Sequence, residues 1–123
     1  MAHVLVVDDD PSVRALVRDV LELEGHVVEL ADDGYAALRA VAARRPDCVV
    51  LDVVMPGLDG HEVLALLRGR ADGRQLPVVM LTGVADDEHA WRGWAGGGDR
   101  LLAKPFDADE LLRLVAGLAV AGR

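Results

Sequence analysis

Five short apolar runs punctuate the chain, and the segments between them carry apolar residues at helical spacing. The runs His3 to Val7, Val27 to Ala31, Cys48 to Leu51, Pro77 to Leu81 and Leu101 to Ala103 are continuous rather than alternating. Such a pattern predicts strands buried on both faces of a parallel sheet. After the first run, Asp10 as cap and Pro11 at the first helical position open a helix with Val13, Leu16, Val17, Val20 and Leu21 inward, and Gly25 stops it. Asp33 caps a second helix whose expected inner face is Tyr35, Leu38, Val41 and Ala42, with Pro46 ending it. Asp59 and Glu62 have capping-box spacing ahead of Val63, Leu64, Leu66 and Leu67, and Arg68 to Leu76 reads as a loop. A helix over Asp86 to Ala95 is weakened by Gly93 and ended by Gly96, Gly97 and Gly98. Asp107 and Glu110 cap a last helix carrying Leu111, Leu112, Val115 and Leu118. Five strands each followed by a helix predict an α/β, doubly wound (βα)5 sandwich.

Composition narrows the function classes. The 123 residues fit one domain able to bury its own core. Apolar residues make up 52% and aromatic ones only 3%, the aliphatic balance of strands alternating with helices. A formal net charge of −8 argues against direct binding to nucleic acid or to an anionic membrane. Cys48 is the single cysteine and falls inside a buried run, so it reads as an inert thiol in a reducing compartment. No apolar segment approaches membrane-spanning length and no leader pattern precedes Asp8, which gives a cytoplasmic expectation.

The candidate chemistry lies where the strands end. Ligands of open parallel sheets bind at the carboxyl ends of the strands, and the residues gathered there are Asp8, Asp9, Asp52, Thr82 and Lys104. Pro56 and Gly57 force a turn soon after Asp52, so that carboxylate stands at the sheet's rim. Three carboxylates about 5 Å apart repel by roughly 3 kcal/mol per pair at an effective dielectric near 20, so the cluster calls for a cation. Mg²⁺, with Mn²⁺ as a substitute, suits an all-oxygen set and leaves positions for phosphate oxygens. An ionised Asp52 can then attack phosphorus, with the Lys104 ammonium and the Thr82 hydroxyl stabilising the transferring group.

Val-Val-Asp8-Asp9-Asp-Pro, Leu-Asp52-Val-Val-Met-Pro-Gly-Leu-Asp-Gly, Met-Leu-Thr82-Gly and Lys104-Pro105-Phe together resemble the receiver domain of two-component response regulators, across essentially the whole of residues 1–123. The resemblance implies a flavodoxin-like fold with a five-stranded parallel sheet in the order 2-1-3-4-5 and a cis Lys104-Pro105 bond. It implies that Asp52 is the phosphoacceptor, that Asp8, Asp9, Asp52 and the backbone carbonyl of Val54 hold the metal, and that Thr82 and Lys104 meet the phosphoryl group. The implied partners are a sensor histidine kinase or phosphotransfer protein upstream and a downstream protein, or an output domain, that reads the modified form. The implied activity is confined to the domain's own phosphorylation and dephosphorylation.

Two positions depart from the family pattern. Leu101 stands where receivers usually carry an aromatic switch residue, and Gly83 follows the Thr where a slightly larger small residue is usual. The expected output face comprises the 86–95 helix with Trp94, the fifth strand and the last helix, with Gly83, Leu101 and Pro105 at its edge. Trp91 and Trp94 stand three apart on the 86–95 helix, and at least one of them reads as core packing, with a partner-binding tryptophan as the rival reading. His3, His26, His61 and His89 share no ligand spacing and read as surface residues. Two rival classes use the same residues: a small Mg²⁺-dependent phosphohydrolase, and a phosphorylation-independent scaffold on the receiver fold. The first needs a second acid-base carboxylate beside Asp52 and a substrate cap, and position 54 is Val; the second tends to lose the acidic pair or the Lys, which this chain keeps.

Overall fold

The computed structural model describes residues 2–71, 73–83 and 100–121, with side chains to 118. Five strands form one parallel sheet: β1 His3–Val7, β2 Val27–Ala31, β3 Cys48–Asp52, β4 Val78–Thr82 and β5 Arg100–Ala103. Their order is β2-β1-β3-β4-β5, as the resemblance implied. Four helices are described: α1 Pro11–Leu23, α2 Gly34–Ala43, α3 Gly60–Arg68 and α4 Ala108–Ala121. The helix expected over 86–95, with Gly93, Trp91 and Trp94, the glycines that follow it and His89 lie outside the described residues.

Continuous apolar strands imply helices on both faces, and the core divides accordingly. Leu5, Val7, Val49, Leu51, Val78 and Met80 point to one side and pack with Ala37 and Val41 of α2 and Val63, Leu64 and Leu67 of α3. Val4, Val6, Cys48, Val50, Val79 and Leu81 point to the other and pack with Val17 and Leu21 of α1 and Leu111 and Val115 of α4. β1, β3 and β4 are almost wholly buried, whereas β2 is an edge strand with Val27 and Leu30 exposed. Cys48 is buried and in no disulfide among the described residues, as the sequence predicted.

The caps form as their spacing predicts. Asp10 accepts from the Ser12 amide at 2.8 Å and Asp33 from the Ala36 amide at 2.7 Å. Asp59 and Glu62 complete a reciprocal capping box at 2.9 and 3.1 Å. Asp107 accepts from the Asp109 amide at 2.8 Å. Gly25 and Gly57 take the left-handed φ values of 85° and 78° that their turns require.

Several inward faces differ from expectation. Tyr35 is 53% exposed and Ala42 is also at the surface, because α2 is rotated so that Gly34, Ala37 and Val41 face the sheet. Leu16 of α1 is 54% exposed and Leu66 of α3 46%, since each helix buries a narrower stripe than its apolar residues could fill. α2 ends at Ala43, before Pro46, where Arg44 turns extended. β4 begins one residue later than expected, because Pro77 has no amide and contributes only its carbonyl, which accepts from Val49 N–H at 2.9 Å.

Candidate functional site

Strand register assembles the site. Val7 pairs with Leu51 across β1 and β3, so the next residues, Asp8 and Asp52, leave the sheet side by side. Thr82 pairs with Ala103 across β4 and β5, and the Lys104 amide donates to the Thr82 carbonyl at 2.6 Å. Those pairings bring residues nearly a hundred positions apart to one rim of the sheet.

Asp8, Asp9 and Asp52 each offer a carboxylate oxygen within 4.8 Å of the others, with Asp8 and Asp52 buried and Asp9 exposed. The Lys104 ammonium bridges the buried pair, 3.1 Å from Asp52 Oδ1 and 3.3 Å from Asp8 Oδ2. Asp8 Oδ1 accepts the Asp10 amide at 2.9 Å. The Lys104-Pro105 bond is cis, as the resemblance implied.

Burial pushes the Asp52 carboxyl up to about 6, the Asp8 charge adds to that rise, the Lys104 hydrogen bond and charge oppose it, and Asp9 adds a further upward push. For Lys104, burial alone would lower the pKa, but its hydrogen bonds to Asp52 and Asp8 and their charges outweigh burial and raise it. The pocket therefore holds one cation among three acids and retains a deficit of positive charge. Three oxygen donors with a half-exposed opening suit a hard divalent cation that keeps some of its waters.

Thr82 is buried at the end of β4, and its hydroxyl donates to the Gly83 carbonyl at 3.1 Å. Gly83 is half-buried and is the last described residue before the 84–99 segment, where Trp94 falls. Val54 lies two residues beyond Asp52 with an exposed side chain. Leu101 is half-buried against the cluster that includes Met80 and Val78. Pro105 joins Val13, Leu16, Lys104 and Phe106 around a groove of about 220 Å³.

Sequence reasoning missed one supporting side chain. Arg14, one turn into α1, donates through Nη1 to the Asp8 carbonyl at 2.8 Å and so holds the acidic turn from below. Its only sequence signal was its place on the helix capped by Asp10. The surface reading of the histidines also needs correcting. His3 reaches Glu29 at 3.3 Å with a largely buried side chain, His26 Nδ1 accepts the Ala2 amide at 3.0 Å, and both ring nitrogens of His61 are shielded from solvent without a hydrogen-bond partner. Burial and the nearby N-terminal charge lower the His26 pKa, against a smaller opposing effect of Glu24. None of the three approaches the acidic cluster closely enough to join it: among the described residues the sole such group of potential ligands is Asp8, Asp9 and Asp52.

A doubly wound parallel sheet that gathers three acids and a lysine at the carboxyl ends of its strands belongs to the class of open α/β domains that bind ligands at that edge. The comparisons make the class specific. Residues 4–116 match the family described as the response regulator receiver domain, and the chain belongs to that family. It is similar to the response regulator MprA of Mycobacterium tuberculosis strain H37Rv, with 46% identity over 116 residues that cover 94% of this chain and 50% of the relative. The MprA of Mycobacterium ulcerans strain Agy99 is 45% identical over 94% of this chain and 49% of its own length. The chain thus spans about half the length of these curated relatives. Among solved structures, a putative response regulator from Chloroflexus aurantiacus superposes with a TM-score of 0.92 at 33% identity, covering 97% of this chain and 98% of that one. The receiver domain of NtrX from Brucella abortus gives a TM-score of 0.87 at 38% identity, covering 96% and 98%.

Proposed function

We propose that residues 1–123 work as one receiver domain that takes a phosphoryl group onto Asp52 from a phosphohistidine of a sensor kinase or phosphotransfer protein. The observation that carries this reading is the Asp52 carboxylate held 3.1 Å from Lys104 and beside Asp8 and Asp9 at adjoining strand ends. In the proposed transfer a carboxylate oxygen of Asp52 forms the new bond to phosphorus while the bond from phosphorus to the donor's imidazole nitrogen breaks. Lys104 exchanges part of its contact with Asp52 for a phosphoryl oxygen. The Thr82 hydroxyl turns from the Gly83 carbonyl toward a second oxygen.

Asp8, Asp9, Asp52 and the Val54 carbonyl are the groups we assign to Mg²⁺, with Mn²⁺ able to replace it. When bound, the dication offsets the carboxylate charges and the charge that develops on the equatorial phosphoryl oxygens. Acyl-phosphate formation and loss are then the only chemistry assigned to the domain. No helix among the described residues is long and apolar enough to cross a membrane, and with the acidic balance this supports a cytoplasmic domain that touches neither membrane nor nucleic acid directly.

The signal's exit is assigned to the face made by the 84–99 segment with Trp94, β5 and α4, with Gly83, Leu101 and Pro105 along its edge. The reader of that face is a downstream protein or an output domain; the match covers about half the length of the curated relatives. Two rivals fit less well. A phosphohydrolase would call for a carboxylate near position 54, where Val54 stands; an unmodified scaffold gives no account of the buried Asp8 and Asp52 carboxylates bridged by Lys104.

The test is labelling with a small acyl phosphate and Mg²⁺, followed by mass spectrometry. Wild type is expected to gain one phosphoryl group at Asp52, and Asp52→Asn none. Equal labelling of the Asn variant would put the acceptor elsewhere.

A further inference from the structure

The carboxylate of Asp52 and the carbonyl of Val54 are separated by two peptide units, so whatever fixes those units fixes both groups relative to each other. Two contacts do so. From the sheet side, the Val53 amide donates to the Leu81 carbonyl of β4 at 3.0 Å. From the other side, the Gly60 amide at the first residue of α3 donates to the Val53 carbonyl at 2.7 Å. The N-terminus of α3 is thereby seated directly on the strand end that carries Asp52.

That seat exists only because residue 60 lacks a side chain. A Cβ built there would lie 2.4 Å from the Asp52 carbonyl oxygen, 2.8 Å from Val53 Cα and 3.1 Å from the Asp52 carbonyl carbon. All three are backbone atoms, which cannot swing away as the end of a flexible side chain can. The opposite partner cannot easily yield either: α3 is anchored by its capping box and by the buried Val63, Leu64 and Leu67. Gly60 does not have a positive φ, so its backbone conformation alone would accept alanine. Steric contact with the phosphoacceptor's own peptide is what sets glycine there.

We propose that Gly60 is a positioning residue for the metal and phosphoryl site: through its close approach to the Asp52–Val53 peptide it sets the relation between the Asp52 carboxylate and the Val54 carbonyl. Enlarging it pushes the two apart and weakens cation binding before it unfolds the domain. This assignment rests on the metal reading given above, and the test separates the two.

Mg²⁺ titration by calorimetry is run on wild type, Gly60→Ala and Gly73→Ala, with melting in chelator on all three. Gly73 is the control because a Cβ there would crowd backbone equally, 2.5 Å from the Leu67 carbonyl oxygen, but at the far end of α3. Gly60→Ala is expected to weaken Mg²⁺ binding about 10- to 100-fold, the range seen when groups that orient metal ligands are altered, while Gly73→Ala keeps wild-type affinity despite a lower melting temperature. A folded Gly60→Ala with wild-type affinity overturns the proposal, as does an equal loss in both variants. Wild type that binds no Mg²⁺ overturns the metal reading itself. Should Gly60→Ala fail to fold, amide exchange on wild type decides: Mg²⁺ is expected to slow exchange of the Gly60 amide, and bound Mg²⁺ with unchanged exchange there overturns the proposal.

Discussion

Lys104 Nζ lies 3.1 Å from Asp52 Oδ1 and 3.3 Å from Asp8 Oδ2, so one ammonium spans the carboxylates of β3 and β1 from the loop after β5. Its backbone is fixed by the hydrogen bond that the Lys104 amide donates to the Thr82 carbonyl at 2.6 Å, which leaves the flexible stem to bring the charge over the acids. Asp8 is fully buried and Asp52 nearly so, and a buried charge that loses its partner costs far more than an exposed one.

Lys104→Met is therefore expected to lower stability in chelator by about 2 kcal/mol, below the full figure for a buried pair because the Lys104 side chain is 27% exposed. Mg²⁺ should restore part of the loss, since it supplies the missing positive charge. Thermal melts of both proteins in chelator and in excess Mg²⁺ check this. Equal stability in chelator would mean that solvent already screens the two acids.

The raised Asp52 pKa gives a pH dependence of defined sign. The folded carboxyl titrates near 6 and the unfolded one near the ordinary 3.8, so between those values the folded state holds the extra proton. Stability from this group is complete below the lower value and is lost as pH rises through about 6. Asp52→Asn, which mimics the neutral form, should thus gain on wild type in chelator as pH is raised from 5 to 8 and show little difference near pH 4. Chemical denaturation across that range is the measurement, and a gap that shrinks with rising pH would reverse the assigned cause. The same proton competes with the cation, so Mg²⁺ affinity should fall below pH 6.

Most of this arrangement was legible from residue order, and the limits have physical causes. The strands could be read because buried parallel strands are continuously apolar, and the caps because Asp10, Asp33 and Asp59 have a single local job. Asp8, Asp9, Asp52, Thr82 and Lys104 could be grouped because strand ends converge in this topology. Helix faces were less legible: Tyr35 and Leu16 are apolar enough to be buried, and only the rotation of each helix on the sheet decides that they are not. The roles of Arg14 and Gly60 were not legible, although Gly60 closes the Asp52 motif and Arg14 stands on the helix capped by Asp10, since a contact to a backbone carbonyl or a close approach between two main chains has no residue-type signature.

The capping box of α3 carries a stability prediction of its own. Asp59 accepts from the Glu62 amide and Glu62 accepts from the Asp59 amide, so each side chain satisfies a donor that would otherwise be left to water. Asp59→Ala is expected to cost about 1 kcal/mol and Glu62→Ala less, since the Asp59 side chain satisfies an amide inside the first helical turn at 2.9 Å, whereas the Glu62 bond, at 3.1 Å, reaches only the cap residue's own amide. Denaturant midpoints at unchanged slope give the values, and a larger loss for Glu62→Ala would show that the second hydrogen bond dominates.

Gly25 and Gly117 form a matched pair in which backbone conformation alone decides the outcome. A Cβ at either position would meet nothing within 4 Å, so packing favours alanine equally at both. Gly117 sits within α4 at an exposed position, where glycine leaves the unfolded chain unneeded freedom. Gly117→Ala is accordingly expected to stabilise by roughly 0.5 to 1 kcal/mol through helix propensity and reduced unfolded-state entropy. Gly25 closes α1 at φ 85°, where any Cβ presses on the following carbonyl. Gly25→Ala should destabilise by about 1 to 2 kcal/mol despite the open space around it. Urea titrations of the two variants beside wild type measure both changes. Opposite signs are expected; two gains would show that the α1 turn relaxes out of the left-handed region at little cost, and two losses would show that residue 117 is not held in helical geometry in solution.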